Sequence, residues 1–260
     1  MKHFFIYVIL FCCLNELFSQ NKNILVDGED LFYNVRYGFI DLGSIRMKTK
    51  KVFENGNSFY KTQAYIDSYD FPFVDIHVFY ENYYDENGIP IKFISIENTS
   101  EENNFLHTIY DFDYNEKKIF IKNGFGTKNK MTKITYFTSM ILDTEYQNSL
   151  SIFFYARMNN HFNTNKNVPT FHANEKTSTK INYTNKIEKI KTDFADFPVE
   201  TKYLNGTMSF IGVFGLTGFF EGWFSNDADA VPILAKMKVL IGNIIIELKN
   251  WKRNDWILPK

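Results

Sequence analysis

The chain has 260 residues, with 29 Lys and Arg against 30 Asp and Glu, and a formal net charge of -1. Charges of both signs are interspersed, so the chain lacks the dense basic face that nucleic-acid binding requires, and nucleic acid is excluded as a partner. The two cysteines, Cys12 and Cys13, are adjacent near the N-terminus. The rest of the chain therefore has no disulfides and must be held by its core, which at this length buries about 70–75% of the unfolded surface.

The N-terminal segment has the organisation of a cleavable signal peptide. Lys2 is followed by an uninterrupted apolar run over residues 4–14, and then by polar residues and the small Ser19. This order predicts a signal peptide over residues 1–19 and export of a single domain over residues 20–260. The run is shorter than the ~20 residues that cross a membrane as a helix, which makes a retained interfacial anchor the weaker alternative.

Export predicts that the mature protein lies in the periplasm or on the periplasmic face of the outer membrane. No transmembrane segment is predicted in the mature chain. Lipid attachment is not expected either, because the residues before Cys12 and Cys13 are bulky where a lipoprotein signal has small ones.

Turn dipeptides and alternating apolar residues predict an antiparallel β domain. Asn-Gly occurs at 55–56, 87–88, 123–124 and 205–206, and Gly-Asn at 242–243. These dipeptides accept the positive φ angles of tight hairpin turns. Alternation over residues 74–80 before one turn, and over 235–241 before another, predicts two hairpins. The expected fold is mainly β, a single antiparallel domain built as a curved open barrel or as a sandwich or jelly roll.

One segment breaks the alternation. Leu150, Phe153 and Met158 recur at helical spacing, after a cap at Asn148 or Ser149. A single short helix is therefore predicted near residues 148–160. The polar, Asn-rich residues 159–167 that follow are expected to form a mobile loop or a seam between two β halves.

Catalytic and metal-binding patterns are missing from the sequence. The mature histidines have no pair at ligand spacing, and there is no cysteine to complete a zinc site. Residues 226–229 lack the glycine and distal glutamate of a calcium loop and are expected to form a turn. There is no Gly-x-Ser-x-Gly and no glycine-rich phosphate loop. No catalytic residue, metal or cofactor is predicted, and the protein is not expected to be an enzyme.

Four separately placed motifs resemble a bacterial family known as DUF3108. The similar segments are residues 28–35 with Gly43, 83–85 with 88–93, the helical 151–157, and 222–225 with Asp227, Pro232, Gly242 and Leu248. The chain departs from the family at Phe154, where a tyrosine is expected. The resemblance covers residues 28–249. It implies an exported, β-rich envelope protein of no agreed biochemical activity.

Two functions remain open. The 28 Phe and 16 Tyr, and the glycine-spaced apolar residues 210–224, fit either a packed core or a flap over a hydrophobic cavity. With a cavity, the protein is expected to be a binding or carrier module for an apolar or lipid-like ligand. With a solid core, it is expected to be a structural or interaction module with an envelope protein partner. The candidate ligand-lining residues are Phe153, Phe154, Arg157, Phe219, Phe220 and Trp223.

Arg157 is the candidate to hold an anionic head group. Its place one turn beyond Phe153 and Phe154 on the predicted helix puts it near the expected cavity wall. Capping of a strand edge and pairing with an acidic residue remain open alternatives for this side chain.

Overall fold

The computed structural model describes residues 24–54, 56–69, 75–212, 217–239 and 242–260. The predicted signal peptide over residues 1–19 lies outside these ranges and stays a prediction. The predicted start of the domain at residue 20 also lies outside these ranges and stays a prediction.

Within the described ranges, fourteen strands form one antiparallel sheet. They are β1 (Asp30–Tyr37), β2 (Ile40–Glu54), β3 (Asn57–Ser68), β4 (His77–Tyr84), β5 (Pro90–Asn98), β6 (Phe105–Asp113), β7 (Lys118–Thr127), β8 (Lys130–Ile141), β9 (Asn163–His172), β10 (Glu175–Ile190), β11 (Val199–Met208), β12 (Gly218–Ser225), β13 (Pro232–Lys238) and β14 (Asn243–Lys252). The α-helix of the described residues, α1 (Ser151–Met158), lies between β8 and β9.

The strand order divides the sheet into two runs of hairpins. From the centre, β1 to β8 follow one another to one edge, and β14 back to β9 follow one another to the other edge. The two runs join where β1 pairs with β14, so that Asp30 lies opposite Lys252. The first and last strands are therefore central, and β8 and β9 border an opening that the segment containing α1 crosses.

The sheet is rolled around its largest cluster of buried hydrophobic residues. Tyr110 on β6 and Phe171 on the far edge strand β9 bring their ring centroids within 4.9 Å of each other. The same buried cluster contains Ile119 on β7 and Leu204 on β11. Contact between strands from opposite ends requires the sheet to curl, as in an open barrel. The predicted antiparallel β class is thus confirmed, in its barrel form, and the predicted short helix is present as α1.

The two predicted hairpins are confirmed. Gly88 has a φ of 80° in the turn between β4 and β5, and Gly242 has a φ of 78° in the turn between β13 and β14. A side chain at such a positive φ is strained, which explains glycine at both turns.

Two Asn-Gly dipeptides are not turns, so the prediction was wrong there. Gly124 lies at a bulge inside β7, and Gly206 lies inside β11. A Cβ on Gly124 would lie 2.1 Å from the Lys133 carbonyl oxygen, and one on Gly206 would lie 2.4 Å from the Phe220 ring. At these positions glycine allows close approach of a neighbour within the sheet.

The Asn-rich residues 159–167 are not a loop throughout, because β9 begins at Asn163. They do mark the boundary between the two runs of hairpins. Polar side chains suit this position, because one side of an edge strand faces solvent.

Candidate functional site

Helix α1 is held in the rolled sheet by a cap at Asn148. Its Oδ1 accepts the backbone N–H groups of Leu150 and Ser151, at 3.1 and 3.0 Å, and the Ser151 hydroxyl accepts the N–H of Asn148 at 2.8 Å. This reciprocal arrangement satisfies N–H groups that the first helical turn leaves unpaired. The Asn148 side-chain amide also donates to Asn82 on β4. The cap thus fixes the helix against the sheet as well as starting it.

Arg157, in the last turn of α1, is buried and paired with Glu29. Its Nη1 and Nη2 donate to the two Glu29 carboxylate oxygens, each at 2.9 Å. Its Nε and Nη2 also donate to the carbonyl oxygens of Ala230 and Asp229, both at 3.2 Å. A guanidinium with these four bonds is held in one orientation.

Arg253 and Asp229 complete this buried ionic cluster. Arg253 donates from Nη1 to Glu29, and from Nη2 to the Asp229 carboxylate at 2.7 Å. Burial alone would raise the pKa of Glu29, but the two arginines outweigh it and hold that pKa below its usual value. The positive charges of the two arginines equal the negative charges of the Glu29 and Asp229 carboxylates. The cluster Glu29, Arg157, Asp229 and Arg253 therefore connects the residue before β1, the helix, the turn between β12 and β13, and the chain after β14.

An apolar cavity of about 120 Å³ lies between the helix and the sheet. Phe153 and Ile152 of α1 border it on one side, and Ile45 and Ile66 border it from β2 and β3. Phe210 and Gly212, from the start of the glycine-spaced apolar segment, also line it. Hydrocarbon walls of this kind suit an apolar ligand group.

A larger cavity of about 570 Å³ adjoins the apolar one. The two share the lining residues Tyr80, Ser149 and Gly212. The larger cavity lies within the 300–1,000 Å³ typical of small-molecule sites. Besides Ser149 and the phenols of Tyr80 and Tyr110, its polar lining residues are Asp75, Ser95, Glu97, Asn98, Thr108, Asn123, His172 and Asn174.

Glu97 projects from β5 towards this larger cavity. It follows Phe93 and Ser95 along one face of the strand, and the Ser95 hydroxyl donates to its Oε1. Burial raises the pKa of Tyr110 to about 12, and the charge of Glu97 adds to this rise. Glu97 therefore acts electrostatically on the tyrosine that lines the same cavity.

His172, at the end of β9, is fixed at the cavity wall. Its Nδ1 lies 2.8 Å from the Ser149 hydroxyl, and its ring stacks on Phe210 at 4.6 Å between centroids. Burial lowers the pKa of His172 below its usual value. The ring is accordingly neutral at pH 7.

The predicted lining residues of the helix occupy three different environments. Phe153 lines the apolar cavity. Phe154 is buried in the core, where its ring meets the edge of Tyr84 at 5.9 Å between centroids. Arg157 pairs with Glu29, as the alternative of pairing with an acidic residue predicted. It is not among the residues that line either cavity.

The predicted lining residues of β12 face both sides of the sheet. Phe220 packs against the core cluster, whereas Phe219 is exposed. Trp223 is buried outside the cavities, where its Nε1 donates to Glu188 at 2.6 Å and Lys236 lies over its ring. Residues 218–225 thus belong to a paired strand, and residues 213–216 lie outside the described residues.

Glu97 and His172 were missed as site residues by the sequence reasoning. A signal for Glu97 existed, because Phe93, Ser95 and Glu97 are spaced two residues apart and so share one face of an extended strand. For His172 no local signal existed, since its partners Ser149 and Phe210 are distant in sequence.

Two findings bear on other kinds of site. Within the described residues, no three His, Cys, Asp or Glu side chains lie together in a way that could hold a metal ion. None of the helices in the described ranges is long and apolar enough to span a membrane.

The rolled sheet belongs to a β-barrel-like class of fold. The chain is similar to the crystal structure of a beta-barrel-like protein of domain of unknown function DUF1849 from Brucella abortus, with a TM-score of 0.55 and 10% identity over 89% of this chain and 100% of that chain. At this identity the likeness concerns the fold alone. The family model of DUF3108, a protein family of unknown function, matches residues 33–249, so the chain belongs to the DUF3108 family. No curated protein matches the chain.

Proposed function

We propose that this protein is an exported, non-enzymatic binding module of the cell envelope that holds a small lipid-like ligand inside its rolled sheet. The observation that carries the proposal is the pair of adjoining cavities, about 570 and 120 Å³, one with polar groups and one apolar. An amphiphilic molecule has the same division into a polar and an apolar part. Export rests on the signal-like residues 1–19.

The ligand site differs from the one expected from sequence. Phe153 remains a wall of the apolar cavity, whereas Arg157 stabilises the helix through Glu29. The polar end of the ligand is therefore placed beside Glu97 and His172.

The test combines a search for a bound molecule with a binding measurement. Native mass spectrometry of the mature protein, purified without detergent, should show a co-purifying small molecule. The neutral fluorophore N-phenylnaphthylamine should give saturable fluorescence enhancement. Ala64 lines the apolar cavity, so Ala64→Leu should fill it and weaken binding about tenfold or more. Ala228→Leu in an exposed turn is the matched control.

Absence of both a bound mass and saturable fluorescence would reject ligand binding. Equal affinity for wild type and Ala64→Leu would reject this cavity as the site.

A second candidate, an interaction module, is favoured by the edge strand β8. Its Ile134, Phe137 and Ile141 are 58%, 64% and 72% exposed. Residues 117–142 contain six lysines and no acidic residue. An extended, acidic segment of an envelope protein would complement this strand by adding to the open edge.

Peptide binding tests the second candidate. A peptide of alternating Glu and Val should bind, and one of alternating Lys and Val should not. Phe137→Glu should abolish binding, whereas Phe53→Glu, which alters a phenylalanine that is 72% exposed on β2, should leave it unchanged. Equal binding of the two peptides, or none, would reject β8 as a docking strand.

A further inference from the structure

The charge of the larger cavity restricts the chemistry of its ligand. Two carboxyl groups, Glu97 and Asp75, are among its lining residues, and no Lys or Arg is among those the structure describes. His172 supplies no compensating charge at pH 7, because burial lowers its pKa. Tyr80 and Tyr110 stay neutral, since burial and the charge of Glu97 raise the pKa of both phenols. The cavity is thus negative at neutral pH.

Glu97 has an acceptor available for a ligand. Its Oε1 accepts the Ser95 hydroxyl, and its Oε2 has no hydrogen-bond partner among the described residues. No ion pair among the described residues involves Glu97, and Lys92, on the same strand, pairs with Asp111 instead. A carboxylate in this state is stabilised by a cation that brings N–H donors.

The exposed Asp75 lies at the same cavity. Its carboxylate accepts the Asn98 side-chain amide at 3.1 Å and lies 3.2 Å from His77 Nε2. These contacts leave its negative charge only partly compensated, and its potential adds to that of Glu97. An entering anion would meet repulsion from both.

We infer that the larger cavity binds the ammonium group of a cationic amphiphile, with Glu97 as the counter-ion and the adjoining apolar cavity holding the hydrocarbon part. This inference rests on the proposed function and replaces the expected anionic head group by a cationic one. The arginines that would suit an anion, Arg157 and Arg253, are both committed to the buried ionic cluster.

A matched set of eight-carbon probes tests the inference by isothermal titration calorimetry at pH 7. Octylammonium, octanol and octanoate share one hydrocarbon chain and differ in charge. Octylammonium should bind at least about tenfold more tightly than octanoate, as expected for one charge pair in a partly buried site. Glu97→Gln should remove most of this preference and leave octanol binding unchanged. Glu175→Gln, at the exposed start of β10, should keep the preference.

The outcomes separate the two proposals. Binding of N-phenylnaphthylamine without a preference for octylammonium would overturn the cationic ligand and leave the binding module intact. Tighter binding of octanoate than of octylammonium would also overturn the cationic ligand and leave the binding module intact. Failure of every probe to bind would overturn the binding module itself. A preference that survives in Glu97→Gln would overturn the role of Glu97, and the wild-type comparison stands even if that variant does not fold.

Discussion

The interior of this protein contains two groups of polar side chains that differ in how their charges are met. The ionic cluster of Glu29, Arg157, Asp229 and Arg253 is charge-balanced, and each carboxylate accepts from an arginine. At the larger cavity, Glu97 has no cationic partner among the described residues and borders about 570 Å³ of space. A polar group whose bonds are complete serves the fold, whereas one with unmet capacity beside a cavity is suited to a ligand.

The largest expected effect is at the ionic cluster. Arg157→Met should lower the free energy of unfolding by about 3–5 kcal/mol, because it leaves the buried Glu29 carboxylate with one arginine instead of two. Urea denaturation followed by circular dichroism measures the change. Arg46→Met removes an exposed arginine that is bonded twice to Asp30, and it should lower the free energy of unfolding far less than Arg157→Met, because solvent screens an exposed ion pair. Similar losses for both variants would contradict a structural role for the cluster.

A smaller effect is expected from pH at the cavity wall. Burial lowers the pKa of His172 in the folded protein, so its contribution to stability is present above the unfolded value of 6.5 and is lost as pH falls. The free energy of unfolding should therefore decrease from pH 7 to pH 5. His172→Gln should flatten part of this decrease, and the rest should remain because burial and Lys202 also lower the pKa of His161. An unchanged slope in His172→Gln would show that His172 does not titrate in this range.

The smallest expected effect is at Glu97. Glu97→Gln removes a negative charge that has no cationic partner among the described residues, and the amide oxygen still accepts from Ser95. The free energy of unfolding should change by less than about 0.5 kcal/mol, or rise slightly. The same urea titrations measure it. A loss close to that of Arg157→Met would make Glu97 a structural residue and remove the contrast between the two regions.

The sequence predicted what depends on neighbours along the chain. The hairpin of β4 and β5 follows from alternation and one turn dipeptide, and α1 follows from helical spacing after a capping residue. The same Asn-Gly dipeptide wrongly predicted turns at Gly124 and Gly206. Glycine is also favoured where a neighbour packs closely within a sheet, so the dipeptide alone does not identify a turn.

The site could be predicted only in part. Phe153 was identified from its helical spacing and does line a cavity. The partner of Arg157 lies 128 residues away, and that of Arg253 lies 224 residues away, so spacing could not reveal either pair. Glu29 is paired and Glu97 faces a cavity because of the way the sheet rolls. The roll is a property of the whole chain, so local sequence does not reveal it.

The central position of β1 and β14 sets the earliest point at which the sheet can be completed. Within each run of hairpins the hydrogen-bonded strand pairs join consecutive strands, and closing such a short loop loses little chain entropy. The pairing of Asp30 with Lys252 instead joins the two ends of the domain. The sheet therefore closes only after its final strand has been synthesised and, in an exported protein, translocated. Arg253, directly after β14, can then donate to Glu29, and this contact stabilises the completed sheet.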